Sequence, residues 1–351
     1  MTKNSQDFNV YWVAENSTDG YGVLDSTVPE AIPFLEVASV SGRGASREIK
    51  AVKRLGTRKR AGRPRGKRSE DTLTIELPLT DAQSISTKVG SGTFTSLATY
   101  KADAYNKWLI GNVIATEGLV FDHTYNKASF NSLSPPSYTI IIVDDGTDQT
   151  DTPTVYELYY GCVLSEVEIS IAEGEIVMLK LNFERSHSKF YETASAAGLA
   201  SAEFGLYPTS IGYILWSDVK IYKYATGSSW QGTDASDTVE LAIVSNFTST
   251  VSQSGEKKFR ISGQETPEGI DLVGYEVKGS MDMDYDNIEE LDEIQNATTG
   301  EGIIRVELGS GGSLGNVDFI GTVFEGFPMD ASPDQLLTAS VDFSSDTVTF
   351  S

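Results

Sequence analysis

Gly311-Gly312-Ser313-Leu314-Gly315 has the GxSxG spacing of a nucleophile elbow. That device needs a strand before it and a helix after it, so that a sharp turn lifts the serine hydroxyl clear. Residues 303–308 read as a strand, but residues 317–324 also read as strand, so a flexible hairpin loop is expected. Asp282, Asp284, Asp286 and Glu293 fall on positions 1, 3, 5 and 12 of a calcium loop. Asn287 stands where that loop turns on glycine, and Glu289 where an apolar residue is usual. The same acids alternate with Met281, Met283 and Tyr285, as a strand would have them. Cys162 is the single cysteine and lies in an apolar run, which fits a structural thiol and excludes a disulfide framework within the chain. His123 and His187 lie in polar stretches, and no Ser/His/acid, Cys/His or metal-ligand spacing can be assembled around them. The expectation is a protein without catalytic residues, cofactor or metal. Asn16, Asn246 and Asn296 fit the N-x-S/T sequon, which matters only in a glycosylating host.

The strongest local charge feature is basic. Residues 43–68 hold 12 of the 27 basic residues and one of the 50 acids. The remainder carries 15 basic and 49 acidic side chains, so the net −23 is a −34 body with one basic insert. Such a body repels nucleic acid rather than gripping it. The insert centres on Lys53, Arg54, Arg58, Lys59, Arg60, Arg63, Arg65, Lys67 and Arg68. Gly62-Arg63-Pro64 resembles half of a minor-groove hook, one degenerate copy only. The equivalent stretch in the second half, residues 264–271, is acidic, which points to docking between subunits or rings. A solvated loop is the plain alternative.

The elements around these residues are strands. Residues 160–183 read as strand, turn, strand, with Val167, Ile169 and Ile171 alternating with Glu166, Glu168 and Ser170 on one side of Glu173-Gly174. The pattern returns over residues 320–343. Gly161, Val163, Ile176 and Phe183 match Gly321, Val323, Leu336 and Phe343, all at an offset of 160. Earlier in each half the spacing drifts, and residues 72–77 align with 280–285 at an offset of 208. Residues 1–30 read as an arm or irregular lead-in. Strands are expected over 34–41, 47–52, 113–121 and 138–143, and in the second half over 240–248, 257–262, 279–285 and 303–308. Residues 144–153 and 264–274 read as loops. Residues 94–111 and 287–297 have helical spacing, one helix in each half. Domain A is expected over 1–190, a linker over 191–210 and domain B over 211–351.

At 351 residues the chain suits two domains, each with its own core. Aromatic and β-branched residues, with 32 glycines, favour an all-β build. No apolar run approaches the roughly 20 residues of a membrane span, and no secretory signal is visible at the N-terminus.

With its terminal strands, the Gly161-Cys162-Val163 and Gly321-Thr322-Val323 openings, one expected helix in each half and the WVAENSTDGYG run at residues 12–22, the chain resembles the tail tube (major tail) proteins of tailed bacterial or archaeal viruses. The resemblance implies two tandem β-sandwich domains, each with a flanking helix, in a duplicated-domain form of the family. It implies rings stacked into a tube that delivers a genome, trimeric for a two-domain chain and hexameric as the alternative. Implied partners are further copies of the chain, a tape-measure protein, a tail terminator and, as an optional outer layer, a sheath. DNA would pass through without specific binding. The implied location is the virion tail, with assembly in the host cytoplasm. In such a conduit inward acids would repel phosphate, and Glu76, Asp282 and Asp284 are the candidates, against the plain reading of solvated outer faces. A second function class is a virion decoration protein or adhesin that binds a surface glycan, with Trp216 and Trp230 as sugar platforms.

Overall fold

A computed structural model describes residues 8–15, 21–24, 30–34, 36–43, 45–49, 52–53, 60–62, 65–70, 72–80, 86–87, 114–115, 118–119, 137–144, 155–199, 203–206, 212–224, 238–240, 244–259, 266–267, 269–284, 302–309, 315–326, 329–330 and 338–350. The first half contributes β1 (Phe8–Ala14), β2 (Glu30–Pro33), β3 (Ser39–Ser41), β4 (Ala45–Ile49), β5 (Val52–Lys53), β6 (Arg60–Gly62), β7 (Arg65–Glu70) and β8 (Leu73–Pro78). It continues with β9 (Ser86–Thr87), β10 (Ile114–Ala115), β11 (Gly118–Leu119), β12 (Tyr138–Asp144), β13 (Val155–Ala172), β14 (Met178–Glu184), β15 (His187–Tyr191) and β16 (Glu203–Leu206). The second half contributes β17 (Val219–Tyr224), β18 (Thr238–Glu240), β19 (Val244–Lys258), β20 (Gly269–Asp284), β21 (Gly302–Leu308), β22 (Gly315–Gly326), β23 (Met329–Asp330), β24 (Thr338–Ser345) and β25 (Thr347–Phe350). Among the described residues there is no α-helix. The two expected helices, 94–111 and 287–297, lie outside the described residues.

β13 organises the first half. Its N-terminal part pairs with β12 on one side and β15 on the other, and its C-terminal part pairs with β14. The strand changes partners at Gly161, whose φ of 61° is a conformation that residues with a Cβ rarely adopt. Residues Tyr156 to Leu164 are buried or half-buried on both faces, so this part reads as a continuous apolar run. Beyond the bulge at Leu164/Glu166 the pattern becomes strict alternation, and Val167, Ile169 and Ile171 alone point inward. One core cluster joins Val10 and Trp12 of β1 and Ile140 and Ile142 of β12 to Leu73, Ile75 and Leu77 of β8 and Leu179 and Leu181 of β14. A smaller cluster joins Tyr11, Val13, Ile141, Val143 and Leu158 to Ala197 and Leu199. Each such side chain, when fully buried, contributes roughly 1.5–3 kcal/mol.

The second half repeats these pairings in register. Val163 lies opposite Glu184 and Leu164 opposite Phe183, then a bulge sets Glu166 opposite Asn182. Val323 lies opposite Ser344 and Phe324 opposite Phe343, then a bulge sets Gly326 opposite Asp342. Each position is 160 further on. Tyr160 pairs with His187 and Ile320 with Thr347. The Ser186 N–H donates to the Tyr160 carbonyl at 3.0 Å, and the Asp346 N–H to the Ile320 carbonyl at 3.0 Å. Even the side-chain bonds recur: Cys162 Sγ donates to the Tyr159 carbonyl at 3.2 Å, and Thr322 Oγ1 to the Phe319 carbonyl at 2.9 Å. Gly321 has a φ of 69°, as Gly161 has 61°.

Several expectations change. Residues 8–14 form β1, a paired and buried strand, where an irregular lead-in was expected over 1–30. Of the expected strand at 34–41 only Ser39–Ser41 forms strand, as β3; β2 ends before it at Pro33, and Glu36 at φ 52° lies between the two. β19 runs unbroken to Lys258, so no separate strand begins at 257, and β20 opens at Gly269 inside the expected loop. The expected loop at 144–153 lies outside the described residues except Asp144, which ends β12. Residues 191–199 carry turns, with Ala197 and Leu199 buried, and β16 pairs with β2 and β9.

Candidate functional site

Eight positions of one antiparallel sheet carry the chain from the first half into the second, in the order β3, β8, β14, β13, β19, β20, β24, and β22 with β23. The halves meet where β13 pairs with β19, from Glu166 opposite Ser252 to Ala172 opposite Asn246. One face of this sheet is core. Leu73, Ile75, Val167, Ile169, Leu181, Phe183, Phe247, Val251, Met281, Val341 and Phe343 are all buried there. Period-two alternation then sends the intervening residues to the other face. That face carries Glu76, Glu166, Glu168, Glu276, Asp282 and Asp342 against Lys180 and Lys278, an acidic excess among the described residues.

Glu76 and Asp282 hold corresponding places on this face. Glu76 lies opposite Ser39 on one side and Lys180 on the other. Asp282 lies opposite Asn246 and Ser340. Ser39 Oγ donates to Glu76 at 2.8 Å, and Asn246 Nδ2 donates to Asp282 at 3.0 Å. The pairing sets Thr74 against Ser280 and Glu76 against Asp282, an offset of 206. The sequence alignment at 208 was therefore two residues out, a slip that alternation cannot detect because it preserves the face. Asp284 ends β20, opposite Thr338. Asp282 and Asp284 thus belong to a strand, and residues 286–293 of the calcium-like pattern lie outside the described residues.

Neighbouring side chains on the same face are tied together. Lys180 Nζ contacts Glu168 at 2.8 Å, which holds the ammonium above its usual range. Asn182 Nδ2 donates to Glu166 at 2.5 Å, and Thr74 Oγ1 donates to Asn182 at 2.6 Å. These contacts join half-buried, partly solvated side chains and are worth little stability each. Their effect is to hold the carboxylates in place over this face of the sheet.

The basic stretch continues β3 and β8 outward as a ribbon. Ala45 lies opposite Glu70, Arg47 opposite Arg68 and Ile49 opposite Arg65. Farther out Val52 lies opposite Gly62 and Lys53 opposite Arg60. Lys67 is in β7, while Arg54, Arg58, Lys59 and Arg63 lie outside the described residues. In the second half β19 and β20 extend likewise to the pair Lys258 and Gly269.

The remaining candidates are structural. Cys162 is buried. His187 stacks on Tyr160 with centroids 4.7 Å apart, and its Nδ1 is 3.2 Å from Ser186 Oγ. That hydroxyl is buried and donates to the Pro267 carbonyl at 3.2 Å, so it is not poised as a nucleophile. Ser313 and Trp230 lie outside the described residues. Strand β22 starts at Gly315, where an elbow needs a helix. Trp216 is 39 % exposed in a short turn beside Leu215. Sequence reasoning missed the buried charged sites, among them Arg185, which is fully buried over the Tyr159 ring. Glu15 is clamped by four donors, and Arg305 pairs with Asp318. It also missed the β13–β19 joint, whose only trace in the sequence is the alternation of residues 246–252.

A protein-family model described as phage tail tube protein matches residues 9–345. No curated protein matches the chain. Among solved structures, a chain from the cryo-EM structure of the anti-feeding prophage baseplate is similar at 10 % identity and a TM-score of 0.29, covering 54 % of this chain and 96 % of that one. A chain from the virion of a native gene transfer agent particle is similar at 11 % identity and a TM-score of 0.29, covering 38 % of this chain and 96 % of that one.

Proposed function

We propose, since the chain belongs to the phage tail tube protein family, that three copies close into a ring of six like domains and that such rings stack into the tail tube. The family is structural and non-enzymatic, and its members are components of the tail of a phage-like particle. The observation that carries the ring reading is the β13–β19 joint. Two halves of one chain are already fused edge to edge into one sheet, with the partner strands on either side in matching order. Edge pairing between like units leaves an open edge at each end until a circle closes.

The reading takes residues 1–190 and 211–351 as two copies of one β-sandwich domain joined through 191–210. The recurrence of pairings, bulge and glycine conformation at an offset of 160 supports this. The polar face of the shared sheet, with Glu76, Asp282 and Asp284, lines the lumen and keeps DNA from sticking. A tape-measure protein sets the length inside and a terminator ends the tube. Assembly takes place in the host cytoplasm.

Negative-stain electron microscopy of the purified protein tests this. Rings or tubes with a central channel and three chains per ring are expected. Compact monomers with affinity for sugars would replace the reading by the glycan-binding one, with exposed Trp216 as a platform.

A further inference from the structure

We infer that the seam between neighbouring copies repeats the seam inside one copy, and that it seats the basic ribbon of one copy on the corner at residues 344–346 of the next. This rests on the ring reading above and specifies its register and contacts. The positional equivalence comes from pairing alone. Lys180 lies opposite Glu76, which lies opposite Ser39. Ser340, 160 further on, lies opposite Asp282, which lies opposite Asn246. Ser39 and Asn246, 207 apart, therefore hold the same place, and β3 stands where β19 stands. On the other side, Ile169 and Ser170 lie opposite Leu179 and Met178, while Met329 and Asp330 lie opposite Ala339 and Thr338. β22 with β23 therefore stands where β13 stands.

Inside the chain those two positions are joined, since β13 pairs with β19. Among the described residues β3 pairs only with β8, and β23 only with β24. The two unjoined edges are thus the counterparts of the two joined ones, and a second copy is their natural occupant. The register follows. Ser170 lies opposite Thr248 and Ile169 opposite Ser249. Carrying the first members forward by 160 and the second back by 207 sets Asp330 of one copy opposite Ser41 of the next, and Met329 opposite Gly42.

The same translation places the ribbon. Beyond the internal seam, the β19–β20 ribbon leans on the corner between β14 and β15. Lys257 Nζ is 2.9 Å from Glu184 Oε2, and Ser186 Oγ donates to the Pro267 carbonyl at 3.2 Å. A Cβ on Gly255 would come 2.7 Å from Glu184 Cγ, so the approach is close. The basic ribbon leaves β3 and β8 as that ribbon leaves β19 and β20, with Ala45 opposite Glu70 as Ser252 is opposite Glu276. The corner 160 further on is Ser344, Ser345 and Asp346, and Asp346 is exposed. A lysine- and arginine-rich ribbon meeting a carboxylate corner on an otherwise acidic body gives the seam charge complementarity and a direction.

Disulfide trapping in the full-length chain tests the register. Residues directly opposite on antiparallel strands have Cα atoms roughly 4.5–5.5 Å apart, within disulfide reach. Ser41→Cys with Asp330→Cys is expected to give covalent links between chains, and each single variant none. Ser170→Cys with Thr248→Cys is the control for the internal seam and should link within a chain. Ser39→Cys with Asp330→Cys, two positions out, should link poorly. Tubes that form but trap at another register, or not at all while the control links, overturn this seam and leave the tube reading intact. A protein that makes no rings at all overturns both. For the ribbon, Asp346→Lys and the triple change of Arg65, Lys67 and Arg68 to Ser should each slow ring formation roughly fivefold at low salt, the effect of about one exposed ion pair. Combining them should add little further. Unchanged assembly in either variant, or fully additive losses, overturns the ribbon contact.

Discussion

Arg305 and Asp318 meet across β21 and β22 in a two-pronged ion pair, with Arg305 Nε and Nη2 each 2.5 Å from a carboxylate oxygen. Arg305 is 2 % exposed and Asp318 7 %. In the first half the corresponding strands set Ile141 opposite Leu158 in the same register, and both are fully buried. One architecture thus accepts an ion pair or an apolar pair at the same place. Removing one partner strands a buried charge and should cost about 3–5 kcal/mol. Arg305→Ile with Asp318→Leu, which copies the first half, should come within about 1–2 kcal/mol of the parent or exceed it. Thermal unfolding of both single variants and the double checks this. A double variant as unstable as the worse single one refutes the equivalence.

Gly161 and Gly321 share a positive φ, but their surroundings differ. A Cβ at Gly161 would lie 2.6 Å from Tyr21 Cζ and 2.8 Å from Ser186 Cβ. At Gly321 the nearest atoms belong to the Asp346 side chain, 2.5 Å from its Oδ2, and that exposed carboxylate can swing aside. Gly174, at φ 77°, has nothing within 4 Å. Alanine at Gly174 should cost only the left-handed strain, about 1–2 kcal/mol. Alanine at Gly321 should cost slightly more, and alanine at Gly161 the most, because Tyr21 is pinned by its hydrogen bond to the Gly161 carbonyl at 2.8 Å. Melting temperatures in that order support the account; equal losses at all three would show that strain alone acts.

The hairpins at 160–183 and 320–343 were legible because their inward and outward residues alternate and their offset is gapless. β1 was not, because both of its faces are buried: Val10 and Trp12 enter one cluster, Tyr11 and Val13 the other. A strand covered on both sides shows no alternation, and five apolar residues after a polar start read as nothing definite. β17 was missed for the opposite reason, since Lys220 and Lys223 interrupt a short apolar run of which only Ile221 is buried among Val219, Ile221 and Tyr222. Parity puts the acids at 76 and 282 on the face away from the core, but their mutual alignment needed the cross-strand partners. Nothing in the sequence around Arg305 and Asp318 marks them as buried, and only their counterparts Ile141 and Leu158 disclose a buried position.

Glu15 gives a pH dependence with a definite sign. Its carboxylate accepts from the N–H groups of Gly22 and Gly161, both at 2.8 Å, from Ser137 Oγ at 2.6 Å and from Thr139 Oγ1 at 2.9 Å. Burial outweighs these donors and raises its pKa above the ordinary 4.5. A folded pKa above the unfolded one means the folded state holds the proton more tightly, so this stabilisation is complete below about pH 4.5 and is lost as pH rises through the folded pKa. Glu15→Gln should lack that component while losing roughly 1–3 kcal/mol for the donor it leaves unmatched. Melting temperatures of parent and variant from pH 4 to 8 decide it. The parent's advantage should shrink as pH rises, and an advantage that grows instead would mean the four donors outweigh burial.

Neutralising the polar face tests the proposal that it lines the tube and repels DNA. Glu76→Gln, Asp282→Asn and Asp284→Asn together remove three negative charges per chain and, on the proposed lumen placement, the repulsion that would keep phosphate off the wall. The side chains of Glu76 and Asp282 are only half-buried, and their hydrogen bonds from Ser39 and Asn246 can be kept by the amide oxygens. Folding and ring formation should therefore survive, with stability changed by less than about 1 kcal/mol. Genome ejection from particles carrying the triple variant should slow, most at low ionic strength, because at 0.15 M salt the field of each charge fades over about 8 Å. Micrographs must first show tubes of normal length. Ejection at the parental rate through such tubes, at low and at physiological salt alike, would remove these acids from the lumen.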